Sequence, residues 1–181
     1  MRIIVLSGSP LALPVLNHLH QQKQLSALIC PEDMIATEVA PLQDWAMNKE
    51  VPCWQTGHAN LDAELDELIR ETKPKLVIVF GFPYTISPKL LQPVLFGGWN
   101  IHFSLHQENR GTITIHQLVR GRGEQVLQQH NLALSSEAEA GTALQQLSFL
   151  STALLHEALA NIGYGKKTKV FPSHANKLVF M

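Results

Sequence analysis

The sequence predicts a doubly wound α/β domain built on a mostly parallel sheet. Short, continuous apolar runs ending in Gly, Ser or Pro recur along the first half of the chain, and stretches of helical spacing separate them. The length of 181 residues suits one ordinary domain, burying roughly 70% of its unfolded surface.

The elements follow in order. Ile3-Ile4-Val5-Leu6, stopped by Ser7-Gly8-Ser9-Pro10, reads as a first parallel strand covered on both faces. Leu13, Leu16 and Leu19 share a helical face over Leu11 to Gln21, and Ala27-Leu28-Ile29-Cys30, closed by Pro31, completes a βαβ unit. Leu42, Trp45 and Ala46 mark a helix from Pro41, a residue suited to a first turn, to Lys49. Val51-Pro52-Cys53-Trp54 is the next strand. Leu61, Leu65, Leu68 and Ile69 line another helix, and Leu76-Val77-Ile78-Val79-Phe80 after Pro74 is the strongest strand signal in the chain. Trp99 to Phe103 follows Gly97-Gly98 as a fifth strand, and Leu144, Leu147, Leu150, Leu154 and Leu155 predict a closing helix from Thr142 to Ile162. The domain is expected over residues 1–162. Residues 163–181 are expected as an extension packed on it or partly flexible, with Val170-Phe171 and Leu178-Val179-Phe180 as a short strand or packed segment.

Composition narrows the function classes. Hydrophobic residues make up 45% and charged residues 16%, which suits a packed core rather than disorder. Net charge is −1, and the 14 Lys and Arg are scattered apart from Lys166, Lys167 and Lys169, so no footprint for nucleic acid is expected. No apolar stretch is long enough to span a bilayer, and Ser7-Gly8-Ser9-Pro10 breaks the opening apolar run too early for a signal peptide. Cys30 and Cys53 lack metal-like spacing and read as buried small hydrophobes of a reducing compartment. The expectation is a cytoplasmic protein with neither membrane nor nucleic acid as partner.

In open parallel sheets ligands bind beyond the carboxyl ends of strands, near the point where strand order reverses. Two segments fall there: Gly81-Phe82-Pro83-Tyr84-Thr85-Ile86-Ser87-Pro88, and Asn100-Ile101-His102-Phe103-Ser104. A period of two puts Asn100, His102 and Ser104 on one face, and polar groups on an apolar strand are costly unless paired. Taken alone, the bland account is a core histidine bonded to a backbone carbonyl and an asparagine capping a turn. An unrelated nucleotide-binding domain with Ser7-Gly8-Ser9 as phosphate loop is a further reading, although the full G-x-G-x-x-G fingerprint is absent.

The Gly81 to Pro88 segment, Asn100-Ile101-His102-Phe103-Ser104-Leu105 and Arg110-Gly111 together resemble the core of the 10-formyltetrahydrofolate-dependent formyltransferases, whose members act on glycinamide ribonucleotide, methionyl-tRNA and amino sugars. Ser7-Gly8-Ser9-Pro10 is similar to that family's first loop, Val51-Pro52 to the strand start before its third βα unit, and Ser135 to Thr142 to the approach to its last helix. The resemblance runs from Met1 to about Leu159 and implies a formyltransferase-like variant of the Rossmann fold. It implies Asn100 and His102 as catalytic residues, with 10-formyltetrahydrofolate as formyl donor and a small amine as acceptor. Phe80, Gly81, Phe82, Pro83, Tyr84 and Ile86 would cradle the folate pteridine, largely through backbone groups, and Ser7, Gly8, Ser9 and Ser104 would contact substrate. No metal is implied. When an amine attacks the formyl carbon a negative oxygen develops, and each donor aimed at it lowers the barrier by about 2.7–4 kcal/mol.

The chain departs from the family where a catalytic aspartate is expected, in an Asp-x-Gly turn after a Thr-Gly-x-Thr-x-His strand. Its last aspartate is Asp66, and the acids left nearby are Glu108 and Glu124. Between Gly111 and Leu127 the chain is shorter than the family. Thr112 to His116 reads either as that strand or as the helix that precedes it. The spacing of Ile115, Leu118 and Val119 before Gly121 favours the helix, with the strand and Asp turn deleted. His106-Gln107 replaces the family's Leu-Pro, and His106 and His116 are expected to face solvent. An enzyme of weak or lost activity and a catalytically silent folate-binding relative remain as the two readings. At 181 residues the chain is expected to lack the tRNA-holding domain of the tRNA-directed relatives, so a small acceptor is the expectation.

Overall fold

The computed structural model describes residues 1–107, 109–119, 123–134 and 140–163. Seven strands are joined in one sheet: β1 Ile3–Ser7, β2 Leu25–Pro31, β3 Cys53–Thr56, β4 Leu76–Phe80, β5 Gly98–His106, β6 Arg110–Val119 and β7 Gly123–Ala133. Among the described residues four α-helices accompany them: α1 Leu13–Gln21, α2 Ala36–Asn48, α3 Leu61–Thr72 and α4 Ala140–Gly163. A 3₁₀ turn, Pro10–Ala12, leads into α1. The strand order is β3-β2-β1-β4-β5-β6-β7. The first five strands run parallel, and β6 and β7 are antiparallel additions.

The sheet is covered on both sides, which is why its central strands are apolar throughout rather than alternating. On one face α1, α2 and α4 pack over Ile3, Val5, Leu28, Ile78 and Ile101. On the other, α3 and the segment between β4 and β5 pack over Ile4, Leu6, Ile29, Val77 and Val79. That second face is apolar over β1, β2 and β4 and changes character over β5 and β6, where Asn100, Ser104, Thr112, Thr114 and His116 stand in register.

Three differences from the sequence reading carry a physical reason. Helix α2 begins at Ala36, so Pro41 sits inside it. Val39 and Leu42 form its buried face with Ala46, and Pro41, sixth of its 13 residues, removes one N–H from the ladder inside the helix. Strand β3 starts at Cys53, two residues beyond the predicted start, because Pro52 lacks the N–H that a ladder needs. The largest difference is β6. Thr112 to His116 is a strand and not a helix, and β7 follows it, so the strand predicted to be deleted is present. Ile113 and Ile115 point into the α4 side while Thr112, Thr114 and His116 take the other, a period of two in β-branched residues. Gly163, predicted to open the C-terminal extension, closes α4, and the rest of that extension, including Lys166, Lys167 and Lys169, lies outside the described residues.

Candidate active site

Strand order reverses between β1 and β4, and the loops leaving their carboxyl ends touch. The Gly8 N–H donates to the Gly81 carbonyl over 3.1 Å. Gly81 has φ +57°, and a Cβ there would lie 2.9 Å from Ser9 Cβ, so this turn needs glycine both for its conformation and for the approach of the first loop. Ser7 is buried, and its Oγ accepts the Ser9 N–H at 3.2 Å; Ser9 Oγ accepts the Leu11 N–H at 3.3 Å and caps the 3₁₀ turn. Ser7, Gly8, Ser9 and Gly81 thus form one wall.

Within the second loop, Phe82 and Ile86 are buried in the α3-side core, Tyr84 is half-buried and Pro83 is exposed. The Phe82 and Tyr84 rings meet edge-on at 5.3 Å, and the Tyr84 hydroxyl donates to Asp33 Oδ2 at 2.8 Å. Desolvation, followed by that hydrogen bond to Asp33, holds the Tyr84 phenol above its ordinary pKa, so it stays a donor. Phe80 points the other way, into the core beneath α1 and α4, where it meets Phe103 edge-on at 5.3 Å. Of that residue only the backbone belongs to the loop wall.

Strand β5 carries the polar groups to the same sheet edge. Asn100 pairs with Val79 and Ile101 with Phe80, so His102 stands just past the end of β4. Asn100 and His102 are half-buried, whereas Ser104 is buried farther along β5, opposite Thr112. Ser104 therefore joins a polar track on β5 and β6 rather than the Gly81 wall. Along this track His106 Nε2 lies 2.9 Å from Thr112 Oγ1, which donates to Asn131 Oδ1 at 2.8 Å. His106 is exposed, as expected from the sequence.

His116 does not face solvent. It is 4% exposed and directly opposite Asn100 in the β5–β6 ladder, and its ring stacks on His102 with centroids 4.4 Å apart and Nε2 atoms separated by 3.3 Å. The helical reading of Thr112 to His116 hid this residue; counting Thr112, Thr114 and His116 at period two would have placed it beside Asn100. Glu124 stands on β7 in register with Leu118, two positions along β6 from His116. Glu108 lies outside the described residues.

The cysteines are also closer than their separation in sequence suggests. Cys30 on β2 and Cys53 on β3 are free thiols with sulfurs 4.0 Å apart. Cys53 is only partly buried, so the reading of two unrelated buried hydrophobes does not hold for it. A cleft of about 370 Å³ lies between β2, β3 and α3, lined by Trp54, Glu64, Glu67 and Glu71 among others, and none of the predicted site residues borders it. Among the described residues no cluster of three or more His, Cys, Asp or Glu is arranged to hold a metal ion, and no helix is long and apolar enough to cross a membrane.

No family model matches the chain. A methionyl-tRNA formyltransferase of Listeria monocytogenes serotype 4a is 25% identical across 99% of this chain, which spans 64% of that relative's length. Among solved structures, glycinamide ribonucleotide transformylase 1 from Symbiobacterium toebii superposes with a TM-score of 0.73 at 18% identity, covering 94% of this chain and 92% of that one. The sugar 3N-formyl transferase WlaRD, solved in the presence of dTDP and 5-N-formyl-THF, gives 0.64 at 14% identity, covering 96% of this chain and 66% of that one. The sheet order, with the Gly81 loop and the Asn100-x-His102 strand at its switch point, is the fold of these formyltransferase structures, and the chain is similar along nearly its whole length to methionyl-tRNA formyltransferases.

Proposed function

We propose that this chain binds 10-formyltetrahydrofolate against the Gly81 to Ser87 loop and passes the formyl group to a small amine, at a rate well below that of an enzyme assisted by a carboxylate. The observation that carries the reading is the placement of Asn100 and His102 at the end of β4, beside a glycine turn, in a chain whose last aspartate is Asp66. Asp66 lies on α3 and pairs with Arg70 at 3.0 Å. The Asn100 amide and His102 imidazole are donors suited to a developing oxyanion. Without a carboxylate the general acid–base step, worth about 10²- to 10⁴-fold when complete, is weakened, which leaves slow transfer.

A folate as ligand is supported by the formyl-THF of the sugar transferase structure and by similarity to a formyltetrahydrofolate deformylase from Pseudomonas syringae. A small acceptor is supported by near-complete coverage of a glycinamide ribonucleotide transformylase. We place the protein in the cytoplasm, in keeping with its two free thiols. The missing aspartate also favours a second reading, a catalytically silent relative that binds folate through the same wall.

Calorimetric titration with 5-formyltetrahydrofolate tests the binding half of the proposal. The expected result is saturable binding that Gly81→Val weakens by about tenfold or more, equal to about 1.4 kcal/mol. Undiminished affinity in that variant would contradict the placement.

A further inference from the structure

The polar track brings two imidazoles together where the family resemblance calls for an imidazole and a carboxylate. His102 and His116 stack with ring planes 13° apart, and their Nε2 atoms lie 3.3 Å from one another. His116 is buried and His102 half-buried, between Thr114 and Asn100 on adjoining strands. In the neutral pair one Nε2 carries hydrogen and its neighbour presents a lone pair, so each ring constrains the other's tautomer. A first added proton is shared with a neighbouring acceptor. A second would set two imidazolium charges 4.4 Å apart in a partly desolvated place, where like charges repel strongly.

We infer that His116 is the proton partner of His102, the two rings acting as a unit that carries one proton. The catalytic consequence rests on the formyl-transfer reading above; the pairing itself does not. As the amine nitrogen bonds to the formyl carbon, it must lose a proton, and the donor nitrogen that departs with its bonding electron pair must gain one. The uncharged pair can accept the first and, once singly protonated, supply the second, ending with the proton count it began with. His116 is thus a positioning residue that acts through His102. The other ionisable groups of the surrounding elements are His106 on β5, Arg110 opposite it on β6, Glu124 on β7, and Tyr84 with Asp33 beyond the β4 loop. Glu124, two register positions away, is the rival partner.

The test is NMR titration of the intact chain carrying ¹³C,¹⁵N-labelled histidine, with the His102 and His116 signals assigned from His102→Gln and His116→Gln. In the wild type both rings should respond in the same two steps, separated by more than about one pH unit, the level at which neighbouring sites titrate as a pair. His116→Gln should leave His102 with a single step, and Glu124→Gln should leave both steps in place. A wild-type His102 that titrates in one step of its own would overturn the inference, and this result needs no variant to fold. Coupling abolished by Glu124→Gln but untouched by His116→Gln would overturn it as well. The titration requires no folate, so a shared proton without formyl transfer would defeat the functional reading alone, and transfer without a shared proton would defeat the pairing alone.

Discussion

Replacing Gly81 by alanine tests whether the wall of the site is built as described. The residue has φ +57°, where a side chain costs about 1–2 kcal/mol in an L-residue. The new Cβ would stand 2.9 Å from Ser9 Cβ, inside the usual 3.5–4.0 Å of carbon contacts, so the first loop must retreat. That retreat strains the hydrogen bond from Gly8 N–H to the Gly81 carbonyl, worth about 0.5–1.5 kcal/mol. Together the expected loss is about 2–3 kcal/mol, and at about 2–4 °C per kcal/mol the melting temperature should fall by about 4–12 °C. Urea denaturation of wild type and variant, read by tryptophan fluorescence, measures it. A loss below about 0.5 kcal/mol with an unchanged m-value would refute the claim that the β1 and β4 loops meet at this glycine.

Three further outcomes follow from separate parts of the molecule. Lys73 ends α3 in the left-handed region at φ 47° and is exposed, so Lys73→Gly should stabilise the protein by about 0.5–1 kcal/mol in the same denaturation assay, and destabilisation would contradict that geometry. Desolvation, followed by the charge of His156 in edge contact at 5.3 Å, holds His18 below its ordinary pKa of 6.5. The unfolded chain then binds a proton that the folded chain resists, so this histidine makes stability fall as pH drops below 6.5 and level off beneath the folded pKa. Substituting His156→Gln should shrink that fall, and an unchanged slope would count against the contact. Hydrogen bonding from Cys30 pulls the Cys53 thiol down, while that bond and burial push Cys30 up. Alkylation by iodoacetamide should therefore reach Cys53 first and slow in Cys30→Ala; faster labelling of Cys30 would reverse the assignment.

Much of this architecture is legible in the chain because continuous apolar runs leave few alternatives. Leu76 to Phe80, buried at every position between two strands, could not be read otherwise. The Asn100, His102 and Ser104 face was visible for the complementary reason, polar groups at period two in an apolar strand. β6 was obscured because Ile115, Leu118 and Val119 also fit a helix, and only the alternation of Thr112, Thr114 and His116 with Ile113 and Ile115 decides between them. His116 shows the limit of residue-type preferences. Histidine favours surfaces in general, but a register position opposite Asn100 overrides that preference. The Cys30–Cys53 contact was invisible for another reason: parallel strands joined through α2 bring distant positions together, and no local pattern records the register.

The most direct test of the central claim is release of tetrahydrofolate from 10-formyltetrahydrofolate in the presence of a panel of small amines, for the wild type and His102→Ala. The account predicts slow, amine-dependent release, at least about 10²-fold below the common enzyme range of about 1–10³ per second, and a further drop in His102→Ala. Release within that range, or slow release that His102→Ala leaves unchanged, would contradict it.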